Sequence, residues 1–69
     1  MTYYLKNEEK GLYLKNIDTE NETIEFTRER KDAKKYDSGE WFATTELEFA
    51  QFHFPTEEET LEKMCCVYE

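Results

Sequence analysis

Three kinds of side chain in the second half of the 69-residue chain could do chemistry: one histidine, two adjacent cysteines and a set of glutamates. His53 and a nearby carboxylate could exchange a proton with a substrate, but acid–base catalysis needs a cleft and a group with a perturbed pKa, and so small a domain offers little concavity. Cys65 and Cys66 are neighbours, a spacing poorly suited to a disulfide, and are expected to be small apolar residues of a C-terminal element. Gly11 and Gly39 are isolated, so no phosphate-binding loop is present. The sequence therefore predicts neither an enzyme nor a metal or cofactor site.

The carboxylates are distributed unevenly along the chain. Residues 1–35 hold eight acidic and eight basic residues, whereas residues 36–69 hold nine acidic residues and a single lysine, so the second half carries the whole net charge of -8. If one half of a folded domain has a single sign of charge, it produces a coherent negative potential, which repels nucleic acids and anionic lipids and attracts basic protein surfaces. Trp41 and four phenylalanines, which could anchor in pockets of a partner, lie in the same half.

This combination of acidic and aromatic residues predicts a partner-binding site. Carboxylates beside aromatic rings could occupy a groove that otherwise holds phosphates and bases. We therefore predict a basic protein as partner, specifically a nucleic-acid-binding one, and no direct binding to nucleic acid or to a membrane. The residues predicted to form the site are Asp37, Glu40, Trp41, Glu46, Glu48, Glu57, Glu58, Glu59 and Glu62.

Three alternatives to nucleic-acid mimicry fit the same composition. The acidic residues could simply keep the domain dissolved. The chain could be a scaffold or regulatory module that binds some other basic protein. It could also be a small homodimer with a structural or regulatory role, in which case the aromatic residues would join the two copies.

The size and composition indicate one folded domain over residues 1–69. A domain of this length buries only about 60% of its unfolded surface, so it gains from a partner or a second copy. Apolar residues make up 38% of the chain and aromatic residues 16%, too much for a disordered chain. No apolar run approaches the roughly 18 residues of a membrane span, and the N-terminus lacks the layout of a secretion signal. A cytoplasmic location is therefore expected.

The first 27 residues are predicted to form a three-stranded antiparallel meander. The segment Tyr4-Leu5-Lys6-Asn7 recurs nine residues later as Tyr13-Leu14-Lys15-Asn16, a spacing typical of a strand and a turn. Gly11 can take the positive φ that the hairpin loop needs. A second loop at residues 18–21 leads into residues 22–27, in which Ile24 and Phe26 alternate with polar residues. Residues 28–39 are highly charged and are predicted to be a solvated connector, a loop or one helical turn, that ends at Gly39.

Residues 45–54, TELEFAQFHF, fit two structures. As a strand with one bulge at Ala50 and Gln51, the segment places Leu47 and all three of its phenylalanines on one face. As a helix it places Leu47, Ala50 and Phe54 on one stripe and Phe49 and Phe52 on the opposite side, which leaves two apolar faces. The pattern favours the bulged strand; the alternative is a helix between the sheet and a partner.

The C-terminal segment is predicted to be a helix. Pro55 ends the preceding element, Thr56 is the expected N-cap and Glu59 its capping-box partner. A stripe at helical spacing, Leu61, Met64, Cys65 and Tyr68, would then pack on the sheet. The alternative is that residues 64–68 form a last strand. The predicted fold class is α+β, an antiparallel meander of three to four strands with a C-terminal helix packed on one face.

In general character the chain resembles the small orphan proteins that phages and prophages of low-GC bacteria encode. The resemblance rests on its short length, its acidity, the N-terminal segment YYLKNEEKGLYLKN and the absence of a catalytic motif. Some proteins of that class inhibit uracil-DNA glycosylase, CRISPR nucleases or histone-like proteins by presenting carboxylates where DNA phosphates would sit. The resemblance implies an inhibitor of this DNA-mimic type in a host cytoplasm, and it assigns no functional residue.

Overall fold

The computed structural model describes residues 2–68 and has an α+β fold, as predicted. The strands and helices are β1 Tyr3–Asn7, β2 Leu12–Asp18, β3 Thr23–Thr27, α1 Glu40–His53, α2 Glu58–Glu62 and β4 Met64–Tyr68. The four strands form one antiparallel sheet in the order β3-β2-β1-β4, and the helices pack on one face of it. Single turns of 3-10 helix lie at Arg30–Asp32 and at Pro55–Glu57.

The predicted N-terminal meander is confirmed. Strands β1 and β2 form a hairpin in which Lys6 faces Tyr13, and Gly11 in the connecting loop has a φ of +66°, a conformation that glycine adopts without steric cost. Strand β3 pairs with β2 across a bulge between Leu14 and Asn16. The Asp18 carboxylate closes the second loop by accepting hydrogen bonds from Asn21 and from the Glu20 amide, and these bonds lower the pKa of Asp18.

The connector between β3 and α1 is a loop with one helical turn, as predicted, but its second part is not solvated. Ala33 and Tyr36 are buried. The Lys34 amide donates to the carbonyl of Leu14 in β2 (3.0 Å), and Tyr36 exchanges two backbone hydrogen bonds with Tyr3 in β1 (3.1 and 2.9 Å). The backbone pairing with two strands fixes the segment and places the Tyr36 ring in the core. The sequence did not indicate this burial, because the residues next to Tyr36 are charged.

Residues 45–53 are helical and Phe54 caps the helix, so the favoured bulged strand was wrong and the helical alternative is confirmed. Ala43 and Ala50 of α1 are fully buried, Leu47 packs against the core, and Phe54 at the end of the helix is buried. The two alanines let the helix approach the sheet closely. A helix also satisfies its backbone hydrogen bonds internally, so this segment needs no neighbouring strand.

The predicted C-terminal helix is wrong beyond Glu62. Strand β4 pairs with β1 over five residues, from Tyr3 opposite Tyr68 to Asn7 opposite Met64, which is the alternative that the sequence left open. The N-cap of α2 is Glu57, with no side-chain capping hydrogen bond, so the predicted capping box at Thr56 and Glu59 does not form. Pairing along the open edge of β1 outweighs the helical periodicity of this segment, because strand formation depends on such neighbours.

The core lies between the sheet and the two helices, and a buried asparagine joins its parts. The Asn7 side chain is fully buried; its Nδ2 donates to the Thr60 carbonyl of α2 (2.9 Å), and its Oδ1 accepts from the Lys10 amide (3.0 Å). Asn7 therefore ties the end of β1 to the hairpin loop and to α2. The buried residues of the core cluster are Leu5, Leu14, Tyr36, Ala43, Ala50, Phe54, Leu61 and Met64.

Candidate protein-binding site

Helix α1 has a second apolar face, which points away from the core. At about 100° per residue, Thr45 and Phe52 lie roughly opposite the direction of the buried stripe that contains Ala43, Leu47 and Ala50. We call this second surface the aromatic face; it consists of Trp41, Phe42, Thr45, Phe49 and Phe52.

The rings of the aromatic face are strongly exposed. Trp41 is 76% exposed and Phe52 82%, while Phe42 and Phe49 are 47% and 44% exposed. Single exposed apolar residues are common on protein surfaces, but a contiguous exposed apolar patch marks an interaction site more often than not. Four aromatic rings on one side of a 14-residue helix form such a patch.

Three of the four rings of the aromatic face contact other rings. The His53 imidazole, on the exposed surface as predicted, lies 4.1 Å from the Phe49 ring and 5.3 Å from the Phe52 ring, centroid to centroid. Phe42 contacts the buried Tyr36 ring at 6.3 Å. Phe49 and Phe42 are therefore supported by neighbouring rings, and Trp41 and Phe52 project furthest into solvent.

A pocket of about 280 Å³ lies within the aromatic face, lined by Trp41, Phe42, Thr45, Glu46 and Phe49. Thr45 is the smallest of these side chains, and its hydroxyl donates to the Trp41 carbonyl of the preceding turn (2.8 Å). The positions 42, 45, 46 and 49 are spaced as the four residues that surround a hole on a helix surface, into which a side chain of a facing element inserts. The pocket is thus a hole of the kind that can take one side chain of a facing element.

Glu46 is the charged residue of the pocket, and two side chains from the connector hold it. Its Oε1 accepts a hydrogen bond from the Lys34 ammonium (2.6 Å) and another from the Tyr36 hydroxyl (2.8 Å). Burial and the hydrogen bond to Glu46 raise the pKa of Tyr36 far above its ordinary value, so the phenol stays protonated. Both contacts use Oε1, and they fix the carboxylate at the pocket wall.

The predicted site residues are divided among four segments. Trp41 and Glu46 come together at the pocket, and the exposed Glu48 lies on α1 next to the aromatic face, whereas Glu40, the first residue of α1, lies nearer the core-facing stripe. The others lie outside α1: Asp37 is in the connector, where it accepts a hydrogen bond from the Thr2 hydroxyl, the half-buried Glu57 ends the turn before α2, and the exposed residues of α2 are Glu58, Glu59 and Glu62.

Ion pairs join the electrically neutral first half of the chain to the acidic second half. Lys34 pairs with Glu46, and Glu9 of the first hairpin pairs with Lys63 (3.0 Å), the lysine of residues 36–69. The contact with Glu9 raises the pKa of Lys63. Pairing with Glu9 turns the ammonium of Lys63 toward the hairpin, so it adds no positive charge to the aromatic face.

Most of the aromatic face is absent from the site that the sequence predicts. Of its four rings, that site contains Trp41 alone, because the bulged strand places Phe49 and Phe52 in the core. The signal that could have found them is the helical reading of residues 46–54, which sets those two rings opposite Leu47, Ala50 and Phe54. Two apolar faces on one helix indicate a buried face and a binding face.

A family profile described as a hypothetical protein of unknown function (DUF2483) matches residues 1–63, so the chain belongs to this family. No curated protein and no solved structure matches the chain. Within residues 2–68, no helix is long and apolar enough to cross a bilayer. The same residues contain no group of three or more metal-ligating side chains arranged to hold an ion.

Proposed function

We propose that this protein is an acidic protein-binding module whose aromatic face on α1 contacts a basic partner protein. The observation that carries the proposal is the exposure of four aromatic rings on the sides of α1 that face away from the core. The proposal concerns binding rather than catalysis, and it places the protein in the cytoplasm.

The aromatic face supplies a substantial part of the free energy of binding, but not all of it. At about 1.5–3 kcal/mol for each fully buried ring, covering the exposed parts of the four rings contributes roughly 4–7 kcal/mol. Association itself costs at least about 4 kcal/mol in lost translational and rotational freedom. A stable complex therefore needs further contacts, which the carboxylates on and near α1 offer.

The charge selects the class of partner. Glu46 lines the pocket, Glu48 lies beside the aromatic face, and the chain carries a net charge of -8. A basic surface that surrounds an apolar cleft is complementary to this arrangement, and the long-range attraction speeds encounter. An acidic partner would be repelled.

Nucleic-acid mimicry is the narrower form of the same proposal. In this form the partner is a nucleic-acid-binding protein, and the carboxylates of α1 and α2 occupy positions that phosphates fill in its complex with DNA. The form is supported by the excess of acidic residues in both helices. Its test is competition: duplex DNA should displace the protein from the captured partner, and failure of DNA to compete would leave a binding module without mimicry.

Homodimer formation is the second candidate function. It is favoured by β4, which ends the sheet and carries no charged residue from Met64 to Tyr68. The net charge of -8 on each copy opposes it. Sedimentation equilibrium at low and high salt separates the two functions, because screening would strengthen a dimer and weaken the complex with a basic partner.

The proposed function is tested by capture from a lysate of the source organism. The baits are the wild-type chain, the double variant Phe49→Ser/Phe52→Ser and the control Tyr68→Ser, which removes an exposed ring of β4 outside the aromatic face. We expect wild type and control to retain a basic protein at about 50 mM NaCl and to release much of it at about 500 mM. The double variant should retain little at either salt. Equal capture by all three baits would contradict the proposal.

The contribution of α2 is tested separately by reversing charge. We expect Glu57→Lys/Glu58→Lys/Glu59→Lys to weaken binding if α2 belongs to the interface, while leaving the fold intact because none of the three is fully buried. The matched control reverses Glu20, Glu22 and Glu25 in and next to the β2–β3 loop, which is the same change in net charge outside both helices. Equal effects of the two triple variants would show that only net charge matters.

A further inference from the structure

The pocket on α1 has a composition that selects among the side chains of a basic partner. Three of its five lining residues are aromatic, and Glu46 is the charged one. The Thr45 hydroxyl already donates to a backbone carbonyl. The pocket is therefore lined mainly by aromatic rings, with a carboxylate fixed at one wall.

Such a lining is suited to a cation. The negative face of an aromatic ring attracts an ammonium or guanidinium group, most strongly for tryptophan. Glu46 adds a carboxylate, and although Lys34 neutralises part of its charge, both of the contacts that hold it use Oε1. The Lys34 ammonium itself lies 5.5 Å from the centroid of the Tyr36 ring, so a cation over an aromatic ring is already accommodated next to this site.

A guanidinium fits the pocket better than an ammonium does. An ammonium is strongly hydrated and needs three acceptors, whereas the polar lining here offers little beyond Glu46. A guanidinium is flat and weakly hydrated on its faces, so it stacks on a ring while its edges reach a carboxylate or solvent. The backbone positions of Trp41 and Phe49 are about 12 Å apart along the helix axis, and the side chain of Thr45 between them is the smallest of the lining.

We propose that this pocket receives the side chain of an arginine on the partner, with the guanidinium stacked on the rings and directed at Glu46. The inference rests on the proposed function and names the residue of the partner that the site recognises. The helix hole formed by residues 42, 45, 46 and 49 is the feature that makes one side chain, rather than a broad surface, the occupant.

Peptide probes test the assignment without the natural partner. Trp41 is the single tryptophan of the chain and lines the pocket, so its fluorescence reports occupancy. Three capped alanine pentapeptides with a central arginine, lysine or leucine are titrated at matched ionic strength. We expect saturable binding of the arginine peptide with a dissociation constant on the order of millimolar, several times tighter than the lysine or leucine peptide. Equal responses to arginine and lysine, or a stronger response to leucine, would overturn the assignment.

A pair of threonine variants shows whether the response comes from the pocket. Thr45→Leu fills the hole, while Thr44→Leu makes the same change at an exposed position of α1 whose hydroxyl also bonds a carbonyl one turn back. The arginine response should weaken about five- to thirtyfold in Thr45→Leu, the change expected for a lost cation–π contact, and should persist in Thr44→Leu. Equal responses in the two variants would overturn the assignment.

The two proposals fail in different ways. If Thr45→Leu still captures the natural partner at full strength but Phe49→Ser/Phe52→Ser does not, the arginine assignment is wrong and the binding module stands. If the Phe49→Ser/Phe52→Ser variant captures the partner as well as wild type, the aromatic face is not the interface and both proposals are wrong.

Discussion

Replacing Asn7 with alanine should remove a large part of the stability of the protein. The change deletes both side-chain hydrogen bonds of a fully buried residue. The carbonyl of Thr60 is left without its donor in a buried place, which costs about 1–3 kcal/mol, and the lost bond to the Lys10 amide adds roughly 0.5–1.5 kcal/mol because that loop can rehydrate. The expected loss is about 2–4 kcal/mol, against a total of roughly 3–10 kcal/mol for a chain of this length.

The near-repeat in the sequence supplies a matched control for this prediction. Asn16 follows the same three residues, Tyr-Leu-Lys, as Asn7 does, but its side chain is exposed. Asn16→Ala should change the free energy of unfolding by no more than about 0.5 kcal/mol. Urea denaturation followed by circular dichroism measures both variants, and Asn7→Ala should lower the melting temperature by at least about 8 °C. Similar losses for the two variants would refute the role assigned to Asn7.

Three further outcomes are expected. Gly39→Ala should destabilise the protein by about 1–3 kcal/mol in urea denaturation, because Gly39 has a φ of +116° just before α1. No atom lies within 4 Å of the added methyl group, so the loss would come from the backbone conformation and not from a clash. An unchanged stability would show that this backbone conformation is not required. Stability should fall above about pH 10 by up to about 1.4 kcal/mol per pH unit, because the raised pKa of Tyr36 keeps its phenol protonated in the folded state while the unfolded chain loses the proton. Tyr36→Phe removes this titrating group, so the free energy of unfolding should fall less steeply with pH in the variant than in wild type. Equal slopes in wild type and variant would contradict that account.

The fold could be predicted from the sequence where neighbouring residues determine the structure. The meander was predictable because Ile24 and Phe26 alternate with polar residues and Gly11 supplies the positive φ of the hairpin loop. Strand β4 was not predictable in this way, since residues 64–68 become a strand only through pairing with β1, about sixty residues earlier in the chain. The burial of Tyr36 likewise depends on backbone bonds to Tyr3, which no local pattern in a run of lysines could indicate.

The candidate site was likewise predictable only in part. Trp41 and Glu46 were predicted because an aromatic residue and a carboxylate in an acidic half are visible in the sequence. Phe49 and Phe52 were assigned to the wrong side, because apolar residues at positions 47, 49, 52 and 54 fit a bulged strand as well as a helix. Only the helix, with Ala43 and Ala50 against the sheet, places those rings in solvent.

Chemical-shift mapping tests the central claim most directly, namely that the aromatic face of α1 is the protein-binding surface. The isotope-labelled chain is titrated with the basic protein captured by the wild-type bait, and backbone amides and the Trp41 indole N–H are followed. We expect the largest changes at Trp41 and at the exposed positions of residues 40–53, with little change around the β2–β3 loop at residues 18–23. Changes concentrated on that loop or along the edge of β4, with the Trp41 indole unaffected, would contradict the account.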